Sequence, residues 1–251
     1  MPEKSLAQYA GKFSETPYTG RSRPTGYPHD YAKQATPRAA TAAIISHMDR
    51  SVGKIFTLLK ELGIDSKTVV FFTRDNGATP GPSDPDFFGA CGPLRGYKGD
   101  LYEGGIRVPM IVRWPGKIRD GDNHHPWYFA DVLPTLAELA GVRPPRTIDG
   151  ISVAPTLLGE DAVGREQPSH EFLYWELRGR VAVRMGSWKA VRPGHGKPLE
   201  LYDLSADISE TTDVGASHPV VMTKIASYLR TARTEPRPQK EPKGLPGRGF
   251  R

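Results

Sequence analysis

Three residues near the middle of the chain could do chemistry together. The run TVVFFTRDNG over residues 68–77 closes a β-branched and aromatic stretch with Asp75, Asn76 and Gly77. A carboxylate and an amide oxygen are hard donors, suited to Ca²⁺ or Mg²⁺ rather than zinc. Two donors are too few for a full coordination shell, so further ligands must come from elsewhere. Lys98 follows in GPLRGYKGDLYEGGIRVP, residues 92–109, with Gly96 and Gly99 close on either side. A fixed ammonium beside oxygen ligands for a cation makes a site for a tetrahedral oxyanion, and hence for hydrolysis of an anionic ester. Asn-Gly is also a common turn dipeptide. The pair falls, however, at the carboxyl end of a strand, where open α/β sheets gather their ligands. The glycines around Lys98 predict backbone that approaches a bound ligand closely. Arg95, Glu103 and Arg107 read as scaffolding that pairs within the loop positioning Lys98. No nucleophile accompanies these residues. His124, His125, His170, His195 and His218 form no HxH or HExxH set and read as surface or capping residues.

Several elements must position this set. Thr36-Pro37 is a helix start, followed by Ile45, Met48, Val52, Ile55, Phe56, Leu59 and Leu62 at three- and four-residue steps, with Gly63 as the stop. This predicts a long amphipathic helix covering one face of a sheet. Residues 68–73 and 108–114 are apolar without alternation, as expected for strands buried on both sides. A second helix is expected over 131–140, capped by Asp131 and stopped at Gly141. Together these predict an α/β fold with a mixed, mainly parallel sheet sandwiched by helices. After Asp149-Gly150 the texture changes to short strand-like pieces, predicting a small antiparallel sheet and a last helix over 218–232. Its inner face would carry Val221, Ile225, Tyr228 and Leu229. The expected organisation is a polar arm at 1–36, an α/β part at 37–150, an antiparallel subdomain at 151–232 and a Pro/Gly-rich basic tail at 233–251.

The 251-residue chain is long enough for one sizeable core. Its formal charge is +6, but residues 233–251 hold six basic side chains against two acidic ones and so supply +4 of it. The remainder is near neutral, with no basic helix for a groove and no aromatic-basic interleaving, which argues against nucleic acid as a partner. No apolar run approaches the roughly 20 residues of a membrane span, and the N-terminus as written has no apolar signal region. One cysteine, Cys91, excludes an internal disulfide framework.

At these residues the chain resembles the sulfatase family of the alkaline-phosphatase superfamily. The resemblance runs through the helix with Met48, Asp49, Val52 and Gly53, then FFTRDNG and GPLRGYKGDLYEGGIRVPMIVRWPGK, and on through DVLPTLAELAGV, IDGISVAPTLLG, VRMGSWKAV and LYDLSADISETTDV. It implies that Asp75 and Asn76 are ligands of one calcium ion and that Lys98 contacts the sulfate. The family's nucleophile is a formylglycine made from a C-x-P-x-R motif. Cys91-Gly92-Pro93-Leu94-Arg95 fits that motif literally, yet it stands where the family has its GPLRG segment, so Cys91 reads as a decoy. The resemblance therefore implies the C-terminal portion of a sulfatase, lacking the N-terminal nucleophile region and catalytically incomplete as this chain. Its substrate would be an aryl or sugar sulfate, in the periplasmic or secreted location usual for the family. A non-catalytic remnant or partner module is the alternative. A phosphoryl-transfer relative is a further one, disfavoured because those enzymes use two metals held by His and Asp.

Overall fold

The structure is a computed structural model and describes residues 2–20 and 32–234. The basic tail, apart from its first two residues, and the middle of the N-terminal arm lie outside the described residues. The arm's first turn is a short helix, α1 (Glu3–Ala7), that docks on the long helix rather than lying free: Arg50 donates to the Ser5 hydroxyl at 2.9 Å.

Helix α2 (Pro37–Glu61) begins with Pro37 in its first turn, as expected, and ends where Gly63 takes a left-handed φ of 67°. Its buried side is the small-residue face of Ala39, Ala40 and Ala43. The face predicted to cover a sheet is largely open to solvent: Ile45, Met48, Ile55 and Leu62 are all exposed. Among the described residues the sheet that follows this helix in the chain has only two strands, too few to cover seven turns of helix.

Strand β1 (Val70–Thr73) pairs with β2 (Met110–Arg113), and here the expected sheet is corrected. The pair is antiparallel, with Val70 opposite Arg113 and Thr73 opposite Met110. The mainly parallel, helix-sandwiched sheet is thereby overturned. A parallel partner needs a crossover that carries the chain back to the start of the first strand. Residues 74–109 make no such crossover. They fold as loops around a single short helix, α3 (Glu103–Ile106), and return to the end they left, where Thr73 Oγ1 donates to the Pro109 carbonyl at 2.9 Å. The next strand can only run backwards.

Helix α4 (Val132–Leu139) follows a 3-10 turn over Phe129–Asp131, and the short helices α5 (Ala154–Leu158) and α6 (Glu160–Val163) lead into the second sheet. That sheet is an antiparallel meander of β3 (Leu173–Leu177), β4 (Arg180–Met185), β5 (Trp188–Arg192) and β6 (Glu200–Asp203). Both of its faces are covered. Val183, Ala190 and Leu201 pack on Ile225 of the last helix, α7 (Pro219–Leu229), while Ala182, Val191 and Tyr202 pack on Leu101 and Tyr102 of the lysine loop. The sheet is therefore the floor on which the Lys98 loop rests. No helix among the described residues is long and apolar enough to cross a membrane.

Candidate active site

The Asp-Asn-Gly corner and the lysine loop are joined backbone to backbone. Lys98 N donates to the Ala78 carbonyl at 2.8 Å and Gly77 N to the Gly105 carbonyl at 2.9 Å, while within the lysine loop Gly104 N donates to the Arg95 carbonyl at 2.7 Å. The glycines make this contact possible. A Cβ on Gly77 would lie 1.7 Å from the Gly104 oxygen, one on Gly104 2.3 Å from that of Gly96, and one on Gly105 2.2 Å from that of Asp100. The expected close approach of backbone is thus loop against loop. Asp75, Asn76 and Lys98 consequently line one open cleft of about 2010 Å³. Asn76 donates its amide to the Gly77 carbonyl at 3.1 Å, which leaves its side-chain oxygen as the acceptor.

The supports of the lysine loop reach farther than pairing within it. Glu103 is buried and accepts from Lys189 Nζ of β5 at 2.7 Å, whereas Arg107 stands 3.7 Å away. Glu210, also buried, receives the Glu103 backbone N–H at 2.7 Å and lies 3.5 Å from the same ammonium. Burial alone would push the Glu103 carboxyl up, but Lys189, Arg184 and Arg107 outweigh it and hold its pKa below the usual range. For Glu210 burial prevails over the attraction of Lys189, and its pKa is raised. Arg95 lies over the Tyr102 ring at 3.9 Å and donates to the Tyr202 hydroxyl and the Glu210 carbonyl. Burial and a shared hydrogen bond to Glu200 push the Tyr202 phenol up to about 12. Lys189, Glu210 and Arg180 were not singled out from sequence. The two-residue alternation of β5, which sets Lys189 on the same face as buried Val191, was the signal available for the first.

The histidines do not all lie where the sequence suggested. His170 is nearly buried, with Nε2 at 2.7 Å from Asp131 Oδ1. Asp131 stands before α4 as expected but makes no side-chain cap to it; its carboxylate instead accepts from Tyr128 N and Ile151 N and so ties three segments together. His124 and His125 line the cleft, and burial lowers the His125 pKa. Cys91 lines a smaller hollow of about 240 Å³ that shares Asn76 with the cleft, and its thiol lies 3.7 Å from the Gly104 carbonyl.

Asp75 and Asn76 have the donor chemistry of a hard-cation site, and they do not complete one. Among the described residues no group of three or more His, Cys, Asp or Glu side chains is placed to hold a metal ion.

Comparison with known proteins fits this arrangement. The chain is 40% identical over 152 residues to arylsulfatase A of Bos taurus, covering 58% of this chain and 29% of that protein. It is 30% identical over 214 residues to an N-acetylgalactosamine-6-O-sulfatase of Bacteroides thetaiotaomicron, covering 76% and 41%. A solved sulfatase structure from a glycosaminoglycan-metabolism locus of that bacterium superposes with a TM-score of 0.69 at 27% identity, covering 80% and 46%. The chain spans less than half the length of each of these relatives. The sulfatase family model matches residues 4–142, and a model of the N-sulphoglucosamine sulphohydrolase C-terminal region matches 97–235. These matches correct the expectation of a C-terminal portion alone. The general sulfatase model already begins at residue 4, inside the stretch read as a polar arm outside the catalytic fold. With the two models together covering residues 4–235, the chain belongs to the sulfatase family of hydrolases.

Proposed function

We propose that the cleft is a sulfate-ester hydrolysis site in which Asp75 and Asn76 hold a calcium ion and Lys98 holds the sulfate. The observation that carries this reading is the backbone ladder joining the two loops, which lets all three side chains line one cleft. Asp75 would offer its carboxylate and Asn76 its side-chain oxygen, two of the 6–8 oxygens that calcium takes. A calcium ion bound there would supply Lewis-acid polarisation of the sulfate oxygens. Lys98 orients the anion and offsets charge that grows on its oxygens as the ester bond breaks. Glu103, neutralised by Lys189, keeps the floor of the loop from repelling that anion. Cys91 lines the smaller hollow and not the cleft shared by Asp75, Asn76 and Lys98. On this reading the machinery the chain carries is incomplete for turnover: it offers part of the calcium shell and the anion contact. The substrate class is a sulfated sugar or aryl sulfate, as the names of the relatives suggest, and the setting is periplasmic or secreted, as usual for the family.

The test is binding of inorganic sulfate by calorimetry in the presence of Ca²⁺, together with sulfate release from a chromogenic aryl sulfate. Lys98→Ala is expected to weaken sulfate binding and to cut any release by roughly 10²-fold or more, the size of effect seen when one charge-stabilising group is removed. Equal binding by the variant and the parent chain would overturn the assignment.

A further inference from the structure

We propose that Arg180 and Asp100 form a positioning brace for Lys98, through which the β3–β4 hairpin sets the affinity of the lysine loop for sulfate. The inference rests on the reading of Lys98 as the sulfate contact. Lys98 occupies a tight turn in which Asp100 N donates to the Tyr97 carbonyl at 2.8 Å. The Asp100 carboxylate crosses back under that turn, and its Oδ2 accepts from Tyr97 N at 3.0 Å. Its other oxygen, Oδ1, accepts from Arg180 Nη1 at 3.0 Å. The same Nη1 donates to the Gly99 carbonyl. The residue before Lys98 is thus held by Asp100 and the residue after it by Arg180, so neither peptide flanking the ammonium can swing freely.

Arg180 arrives there because of the hairpin. Arg178 and Gly179 form a two-residue turn with φ of 49° and 77°, and Leu177 pairs with Arg180. Such turns have positive φ at both positions and match the twist of the strands, which fixes where the first residue of β4 points. That face of β4 carries Arg180, Ala182 and Arg184, and the Lys98 loop lies on it. The Arg180–Asp100 pair is partly exposed, with side-chain exposures of 39% and 38%. A pair this open contributes little to overall stability. What it contributes is restriction of the loop before the anion arrives, and preorganisation of that kind raises affinity by lowering the ordering cost of binding.

The experiment is a double-mutant cycle on the whole chain, titrating inorganic sulfate in the presence of Ca²⁺ with Arg180→Ala, Lys98→Ala and the two combined. Arg180→Ala is expected to weaken binding roughly tenfold in the parent chain, as for the loss of one charge-assisted contact, and not at all further in the Lys98→Ala background. Arg180→Lys is expected to restore most of the loss, because one ammonium can serve both acceptors as Nη1 does. Thermal melts of the Arg180 variants should stay close to the parent. Additive losses in the cycle, no loss with Arg180→Ala, or a melt collapsed by it would each overturn the brace while leaving Lys98 in place. Absence of sulfate binding by the parent chain, or Lys98→Ala binding as tightly as the parent, would instead overturn the sulfate-contact reading beneath it.

Discussion

Gly77 has no room for a side chain. Its missing Cβ would stand 1.7 Å from a backbone oxygen of Gly104, and a carbonyl within a close-packed loop pair cannot rotate away as the end of a lysine could. Gly77→Ala should therefore separate the Asp75-Asn76 corner from the lysine loop and cost about 2 kcal/mol or more of stability, as overpacking against backbone does. Chemical denaturation of the variant checks this; a loss within a few tenths of a kcal/mol would show the loops free to part. Asp75, Asn76 and Lys98 were singled out from side-chain type and spacing, and the fold brings all three to one cleft. The role of the glycines was only half legible, because sequence reports that backbone comes close without saying to what.

At the scale of elements, β5 carries a charge into the core. Lys189 is fully buried between Glu103 and Glu210, so one ammonium faces two carboxylates. The two acids respond oppositely to pH. Glu103, with its pKa depressed, lends stability that is present above its unfolded value and lost as pH falls through its folded one. Glu210, with its pKa raised, contributes stability that is complete below its unfolded value and lost as pH rises through its folded one. Glu210→Gln removes that second titration. The variant should gain on the parent chain between about pH 5 and pH 8, where an ordinary carboxyl is already ionised. Thermal melts at the two pH values measure the gap, and a gap independent of pH would reject the account.

Across the whole molecule, the lysine loop and the four-stranded sheet share one core, built from Leu101, Tyr102, Ala182, Val191 and Tyr202. Polar ties run alongside, with Tyr102 donating to Glu200 at 2.6 Å and Arg95 donating to Tyr202. The loop and the sheet should therefore melt together in one transition. Lys189→Met strips the shared core of its cation and leaves Glu103 and Glu210 facing each other. The expected cost is about 3–5 kcal/mol, the usual result of breaking one side of a buried ion pair. The common melting point should drop for near-ultraviolet signals from the sheet and for tryptophan fluorescence alike. Two separated transitions in the parent chain would contradict the shared core.

The amino-acid sequence by itself determined the helices α2, α4 and α7, because their apolar periodicity, together with Gly63 and Gly141 after α2 and α4, is a local signal read over a few turns. It also singled out Asp75, Asn76 and Lys98 by their chemistry, while their meeting at one cleft was decided by the fold. Strand direction was decided only in three dimensions: residues 68–73 and 108–114 look alike whether they pair parallel or antiparallel, and the path of residues 74–109 sets which. The same holds for Lys189, Glu210, Arg180 and the Asp131–His170 pair. Each acts on a partner 39 to 107 residues away in the chain, and such pairings exist only once the sheet has folded against the loop. Burying a charge is favourable only opposite its partner, and no local pattern in a strand records where that partner will be.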